Sequence, residues 1–319
     1  MAAIWVYAEK RDQTLELLNA GSGPAHALDA ALVAFAPDRV SAEDYLDHGA
    51  DEVLLLPPLA AGQPIEAYVD VFVSAAREAD PDVFLVGATQ RGKEIAARVA
   101  TRLGTGLCGG CIGFEFDEER QRLVMERLLY GGAAVQKVVC KTRPQMATIP
   151  PRTFDQAPAG KGMGRGTIRE LTSPPFSGAT VISQKPRTRE AVDITEAKTV
   201  VCVGRGVEKE EDLRLAQELA GVLGGEVGCT RPIAEELHWL PEEVYLGISG
   251  KKIKPDLYVG VGVSGQIQHV TGIRDSKVVV AVNRDENAPI FEAADYGIVG
   301  DLYQVVPELV AELKRALNK

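Results

Sequence analysis

The sequence lacks any run of 18 apolar residues, so it holds no candidate for a helical membrane span. It also lacks a charged leader, a long apolar h-region or an Arg- and Ser-rich amphipathic start, because Met1 leads almost directly into Ile4-Trp5-Val6-Tyr7. A cytoplasmic prokaryotic protein is expected, or a mature chain whose leader has been removed. Cysteine is scarce: 5 residues in 319, an odd number spread along the chain, which favours reduced thiols over a disulfide framework. Cys108 and Cys111 form a C-x-x-C, but Cys140, Cys202 and Cys229 supply no second pair at zinc spacing. Small buried thiols in a Gly-rich turn are expected there in preference to a metal or redox site. Long basic clusters are missing and the net charge is -10, which argues against a duplex nucleic-acid partner and is compatible with solubility and docking to basic proteins. Neither low complexity nor a repeat of roughly 20 to 50 residues is present.

What is present is the composition of a soluble globular protein rich in turns: 45% hydrophobic residues, 32 Gly and 18 Pro. A chain of 319 residues exceeds one ordinary core and suits two domains. Short β-branched or apolar runs read as strands at Ile4 to Ala8, Ala30 to Ala36, Val53 to Leu56 and Val83 to Gly87. Helical stretches fall between them, such as Ile65 to Ala79 and Lys93 to Leu103, with Gly104 as a helix stop. From about 156 to 194 the pattern gives way to Pro, Gly, Ser and Arg, a junction signal. After it come a strand at Thr199 to Val203, a helix at Glu210 to Leu223, and strands around Val227, Val244 to Ile248, Leu257 to Val263, Lys277 to Val282 and Tyr296 to Val299. A last helix runs from Val306 to Leu317. The alternation predicts an α/β protein of two domains, 1–190 and 191–319, each a mostly parallel sheet flanked by helices, the second Rossmann-like and doubly wound.

Gly260-Val261-Gly262-Val263-Ser264-Gly265 follows a strand and matches G-x-G-x-x-G, with Asp285 20 residues beyond the last glycine. Taken alone this is the nicotinamide dinucleotide pattern. Only 11 residues, Gln266 to Ser276, separate the glycines from the next strand, room for one or two helical turns rather than a full helix. The glycines are open to a second reading, as places where strands and helices pack closely. Polar groups also gather at the carboxyl ends of the expected strands: Gly204-Arg205-Gly206, Thr230-Arg231, Gly247 to Gly250, Ser264 to His269, Asn283 and Asp301. Six such ends in one domain point to a cofactor crevice.

Val203-Gly204-Arg205-Gly206, Thr230-Arg231-Pro232, Gly247-Ile248-Ser249-Gly250, Ser264-Gly265-Gln266-Ile267-Gln268-His269, Ala281-Val282-Asn283 and Ala294 to Asp301 together resemble the C-terminal domain of the electron-transfer flavoprotein alpha subunit, over more than 100 residues. Thr105-Gly106-Leu107 and Arg143-Pro144-Gln145-Met146-Ala147-Thr148 resemble that family's first domain and the end of its sheet.

The resemblance implies that the second domain cradles FAD and that a beta subunit closes the complex, with the first domain as its scaffold and contact. The cofactor-lining positions it implies are Arg205, Thr230, Arg231, Leu246, Gly247, Ile248, Ser249, Ser264, Gly265, Gln266, Ile267, Gln268, His269, Asn283, Asp301 and Leu302. Glycine at 265 suits backbone approach to a pyrophosphate, and Asn283 and Asp301 suit ribose or adenine. Arg231 is expected against the isoalloxazine ring, Ser249 near its N5 and His269 near its C2 carbonyl, where positive charge favours the one-electron anionic form. An Arg is otherwise a solvated charge and a His a satisfied core residue. Where many members carry Gln, this chain has Ile248, a packing residue or a missing hydrogen bond.

The implied function is electron transfer from dehydrogenases, acyl-CoA dehydrogenases of fatty acid beta-oxidation first among them, to a quinone-linked or other oxidoreductase. A bifurcating, NADH-dependent complex is a variant of it. Two alternatives stand beside it: an NAD-dependent oxidoreductase using Gly260, Gly262 and Gly265, and a flavin-free interaction protein.

Overall fold

The computed structural model describes residues 2–160, 166–172, 174, 178–183 and 193–317. The chain divides into two compact units, Met1–Lys185 and Pro186–Lys319. The boundary expected at 190/191, and much of the expected junction, lie outside the described residues.

The first unit contains β1 (Ala3–Tyr7), α1 (Arg11–Ala27), β2 (Ala31–Ala36), α2 (Arg39–Asp47), β3 (Glu52–Leu55), α3 (Tyr68–Ala79), β4 (Val83–Gly87), α4 (Gln90–Leu103), β5 (Leu107–Cys108), β6 (Cys111–Asp117), β7 (Arg122–Leu129), β8 (Ala134–Val139), β9 (Gln145–Ile149) and β10 (Thr167–Glu170). Seven strands form one parallel sheet in the order β10-β3-β2-β1-β4-β9-β5. β1, β4 and β9 are buried along their whole length, which is why their sequences are continuous apolar runs rather than alternating ones. On one face Trp5, Phe35, Phe72 and Phe84 interlock, with Phe35 and Phe72 edge to face at 4.8 Å. Each such pair adds about 0.5–1.5 kcal/mol beyond its burial.

α4 begins three residues before the expected Lys93, because the Thr89 hydroxyl accepts from the Gly92 amide at 2.9 Å and caps the helix there. It ends on Gly104 in the left-handed region, as expected (φ 68°). Residues 143–148 enter β9, one strand in from the sheet's edge, which β5 occupies. Between β5 and β9 the chain makes a three-stranded antiparallel sheet, β6-β7-β8, that the sequence reading did not contain.

The second unit contains β11 (Thr199–Val203), α5 (Leu213–Leu223), β12 (Glu226–Cys229), β13 (Leu257–Val261), α6 (Ile267–Ile273), β14 (Val278–Asn283), β15 (Tyr296–Val299) and α7 (Leu302–Ala316). Its five strands are all parallel, in the order β12-β11-β13-β14-β15. That order reverses between β11 and β13, which opens a crevice at their carboxyl ends.

Two expectations from the sequence do not hold. Val244 to Ile248 is not a strand: Glu242–Val244 is a single tight turn, and pairing is limited to isolated bridges at Tyr245 and Leu246. The Gly247 to Gly250 stretch turns back so sharply that a ladder cannot continue, leaving five decorated strand ends rather than six. The last helix starts at Leu302, not Val306. The Asp301 carboxylate accepts from the Tyr303 amide at 2.9 Å and caps it, so Pro307 falls inside the helix. The helix tolerates one lost bond because Val306 and Val310 are anchored in the core.

Candidate functional site

The carboxyl ends of β11, β12, β13 and β14 and the start of α7 surround a cavity of about 730 Å³, at the β11/β13 reversal. This is within the usual range for a cofactor site. Of the positions expected from the sequence, Arg205, Thr230, Arg231, Leu246, Ser249, Ser264, Gln266, Gln268, His269, Asn283, Asp301 and Leu302 line it. Gly247, Ile248, Gly265 and Ile267 do not. Ile248 and Ile267 are exposed, while Gly265 and Gly247 are buried.

The three glycines of the G-x-G-x-x-G pattern each have a packing cause. A Cβ on Gly260 would sit 3.1 Å from the Tyr258 ring, and one on Gly262 would meet the Gly206 backbone at 2.8 Å. One on Gly265 would fall 2.1 Å from the Ile290 amide nitrogen. Gly262 and Gly265 also adopt positive φ, 63° and 83°, where an L side chain is disfavoured. The glycine at 265 is therefore required by the 288–290 turn. α6 has only seven residues, in keeping with the short span. Asp285 accepts from the Asn287 amide at 3.0 Å and closes its own turn. Packing thus accounts for the features that suggested a nicotinamide site.

His269 is 7% exposed, and both ring nitrogens are engaged. Nδ1 is 3.1 Å from the Leu246 carbonyl oxygen, which can only accept, so Nδ1 carries the proton. Nε2 is then the acceptor for the Tyr258 hydroxyl at 2.8 Å. Burial lowers the His269 pKa to about 4. The positive charge expected at this residue is absent at neutral pH, because a desolvated imidazole with a hydroxyl donating to its lone pair resists protonation.

Arg231 is exposed and pairs with Glu235 at 2.6 Å. The pair holds the guanidinium pKa above its usual range. Glu235 lies in the π-helical turn Pro232–Glu236, which Arg231 immediately precedes and in which the Leu237 amide reaches back five residues to the Pro232 carbonyl. Thr230 joins that turn to the sheet through its amide on the Val203 carbonyl, 3.0 Å. Ser249 lies 2.9 Å from the Tyr245 hydroxyl. Asn283 donates to the Val263 carbonyl at 2.8 Å and accepts from the Asp285 amide at 3.0 Å, fastening two strand ends together.

Residues absent from the sequence reading also face the cavity. Tyr245 was hidden inside a presumed strand. Tyr303 accepts from the Glu208 amide and donates to Asp212, both at 2.9 Å, pinning the loop after β11. Glu208 and Arg284 carry no sequence signal that separates them from surface charges. In the first unit Cys108 and Cys111 are buried, with the Cys108 thiol raised and that of Cys111 lowered by the hydrogen bond between them. Among the described residues no group of His, Cys, Asp or Glu is placed to hold a metal ion.

A family model described as the electron transfer flavoprotein FAD-binding domain matches residues 193–274, and one described as the electron transfer flavoprotein domain matches residues 4–175. The electron transfer flavoprotein subunit alpha of Clostridium acetobutylicum is 35% identical over 330 residues, 99% of this chain and 98% of that protein. Protein FixB of Clostridium saccharobutylicum is 37% identical over 325 residues, 99% and 97% of the two chains. The putative electron transfer flavoprotein subunit YdiR of Escherichia coli strain K12 is 34% identical over 315 residues, 98% of each.

FAD is the cofactor that the matched domain holds, and the cavity suits it chemically. Arginines at 205, 231 and 284 can meet a pyrophosphate or an electron-rich ring, and hydroxyls and carboxamides at 230, 249, 264, 266, 268 and 283 match its many polar atoms.

Proposed function

We propose that this chain, which belongs to the electron transfer flavoprotein alpha-subunit family, carries its FAD in the β11/β13 crevice and acts as one half of a heterodimer. Family membership implies an electron transfer flavoprotein beta subunit and redox partners generally. The first unit supplies scaffold and beta-subunit contact. Electrons arrive from a flavin dehydrogenase, of the acyl-CoA class in fatty acid beta-oxidation, and leave to a quinone-linked or other oxidoreductase, in the cytoplasm of a prokaryote.

The observation that carries this reading is the set of polar residues converging on one cavity at the sheet's reversal. FAD supplies one- and two-electron redox chemistry when bound. Arg231 would place a positive charge beside its ring, and Ser249 would donate a hydrogen bond to it. His269 would form a neutral wall, while Arg205 and the Ser264 to Gln268 turn would hold the phosphates. Asn283, Asp301 and the α7 start would fix the nucleoside end. A bifurcating complex that draws on NADH is the second reading, favoured by nothing specific in this chain.

Purification with the beta subunit, followed by flavin absorbance during stoichiometric addition of an acyl-CoA dehydrogenase and its substrate, tests the proposal. Bleaching is expected. Retention of the oxidised spectrum with that donor, alongside bleaching by NADH, would move the assignment to the second reading.

A further inference from the structure

Tyr245 is 5% exposed, yet it lies on the cavity wall, with its hydroxyl 2.9 Å from Ser249 Oγ. The loop from Leu246 to Gly250 wraps around its ring. A Cβ on Gly250 would lie 2.8 Å from Tyr245 Cδ1, and one on Gly247 would lie 3.3 Å from its Oη. Main-chain bonds close the wrap: the Lys251 amide on the Tyr245 carbonyl at 2.7 Å, the Gly250 amide on Gly247 at 3.2 Å, and the Leu246 amide on Cys229 at 2.9 Å. Glycines at 247 and 250 are thus what allow a bulky phenol inside a tight turn. Its hydroxyl is held at a fixed place beside the serine.

Either oxygen can donate in such a pair, but a phenol is the stronger acid and so the better donor. With Tyr245 donating to Oγ, the Ser249 proton is left to point at whatever fills the cavity. A hydroxyl that is itself accepting a hydrogen bond is a better donor, because the two bonds polarise each other.

We propose that Tyr245 is a positioning residue for Ser249: it accepts nothing from the cofactor itself, but it fixes the serine hydroxyl as a donor towards the redox ring. The inference rests on the placement of Ser249 at that ring proposed above. Loss of the tyrosine hydroxyl should weaken the serine's bond, which strengthens as electron density builds on the ring, and so lower the flavin potential.

The test is a double-mutant cycle on the FAD-loaded heterodimer: Tyr245→Phe, Ser249→Ala, both together, and Ser249→Thr. Flavin midpoint potential and FAD dissociation constant are the readouts. Tyr245→Phe is expected to shift the one-electron equilibrium by about threefold to tenfold, the upper figure being about 59 mV. Ser249→Ala is expected to shift it at least as far, and the phenylalanine should then add nothing further. Ser249→Thr should keep the effect of Tyr245. An equal shift from Tyr245→Phe in the serine and alanine backgrounds, or none in the serine background, overturns the role of Tyr245 while leaving Ser249 at the ring. No shift from Ser249→Ala with FAD retained overturns that placement as well. Should Tyr245→Phe lose FAD, site-specific 3-fluorotyrosine at 245 replaces it, since it keeps the shape and strengthens the donor. A rise in potential then supports the proposal, and an unchanged potential overturns it.

Discussion

The hydroxyl of Tyr258, buried near the start of β13, lies 2.8 Å from His269 Nε2, while Nδ1 on the far side of the ring meets the Leu246 carbonyl at 3.1 Å. A strand, a helix and the loop bearing Ser249 are joined through one imidazole. Cys202 Sγ, 3.9 Å from the same Nε2, closes the pocket beneath it. Tyrosine to phenylalanine at 258 removes the hydroxyl donor to Nε2 and leaves this buried acceptor with the weak thiol of Cys202, at a cost of about 1–3 kcal/mol. In ¹⁵N-histidine-labelled protein, the Nε2 resonance of His269 should shift downfield while Nδ1 stays protonated. An unchanged Nε2 shift would falsify the assignment.

The same residue makes stability depend on pH. His269 titrates at about 4 when folded and near 6.5 when unfolded, so between these values the unfolded chain binds the extra proton. The neutral imidazole's contribution is complete above about pH 6.5 and declines as pH falls towards 4, by at most about 3 kcal/mol. Thermal unfolding of wild type and His269→Gln across pH 4 to 7 should show a steeper acid loss in the wild type. Parallel curves would remove His269 as the cause.

Arg231, on the cavity wall, is paired with Glu235 one turn along the chain. Arg231→Ala should lower the flavin potential with FAD retained, whereas Glu235→Gln should raise it by releasing the guanidinium from its partner. Potentials measured in low and moderate salt check this, since the pair is exposed and screened. Equal potentials for all three proteins at low salt would show that neither charge is felt at the ring.

Gly265→Ala should be the most damaging small substitution around the site. The new Cβ meets the Ile290 backbone at 2.1 Å, and the conformation itself, φ 83°, costs an L residue roughly 1–2 kcal/mol. Because Ala288 and Pro289 line the cavity, displacing that turn should weaken FAD binding along with the melting temperature. Gly221, on α5 with nothing within 4 Å of its Cβ position, is the control: alanine there should be neutral or stabilising.

Cys108→Ser and Cys111→Ser should alter stability through packing while leaving flavin content and potential unchanged. Cys229, whose pKa burial pushes up to about 12, should resist thiol reagents until the protein is unfolded. Rapid labelling of Cys229 in the native protein would show an opening of the second unit's core that the structure does not contain.

The parallel sheets were legible because their strands are short apolar runs bounded by turn residues: Val83 to Gly87, buried along its whole length, and the more exposed edge strand Tyr296 to Val299 appear where expected, residue for residue. α1 was not legible, since Gly21, Gly23 and Pro24 break its pattern. It persists because Gly21 lets the helix approach Leu32, whose Cδ1 would be 2.9 Å from a Cβ there. Tyr245 was misread for the opposite reason. Val244 to Ile248 has strand composition, but the glycines around the tyrosine turn the chain back on itself.

By itself the sequence determined the α/β alternation, the gathering of Arg205, Thr230, Ser249, Ser264 and Asn283 at strand ends, and, through their order, the FAD family. These follow from local rules: burial on both faces, glycine where the chain turns, polar groups where strands stop. Only the tertiary structure decided that His269 is neutral, that Gly260, Gly262 and Gly265 serve packing, and that Tyr245 stands behind Ser249. Each of those depends on a partner brought near through space, Leu246, Gly206, Ile290 or a ring folded into its own loop. Spacing along the chain carries no record of desolvation or of where a hydroxyl proton points.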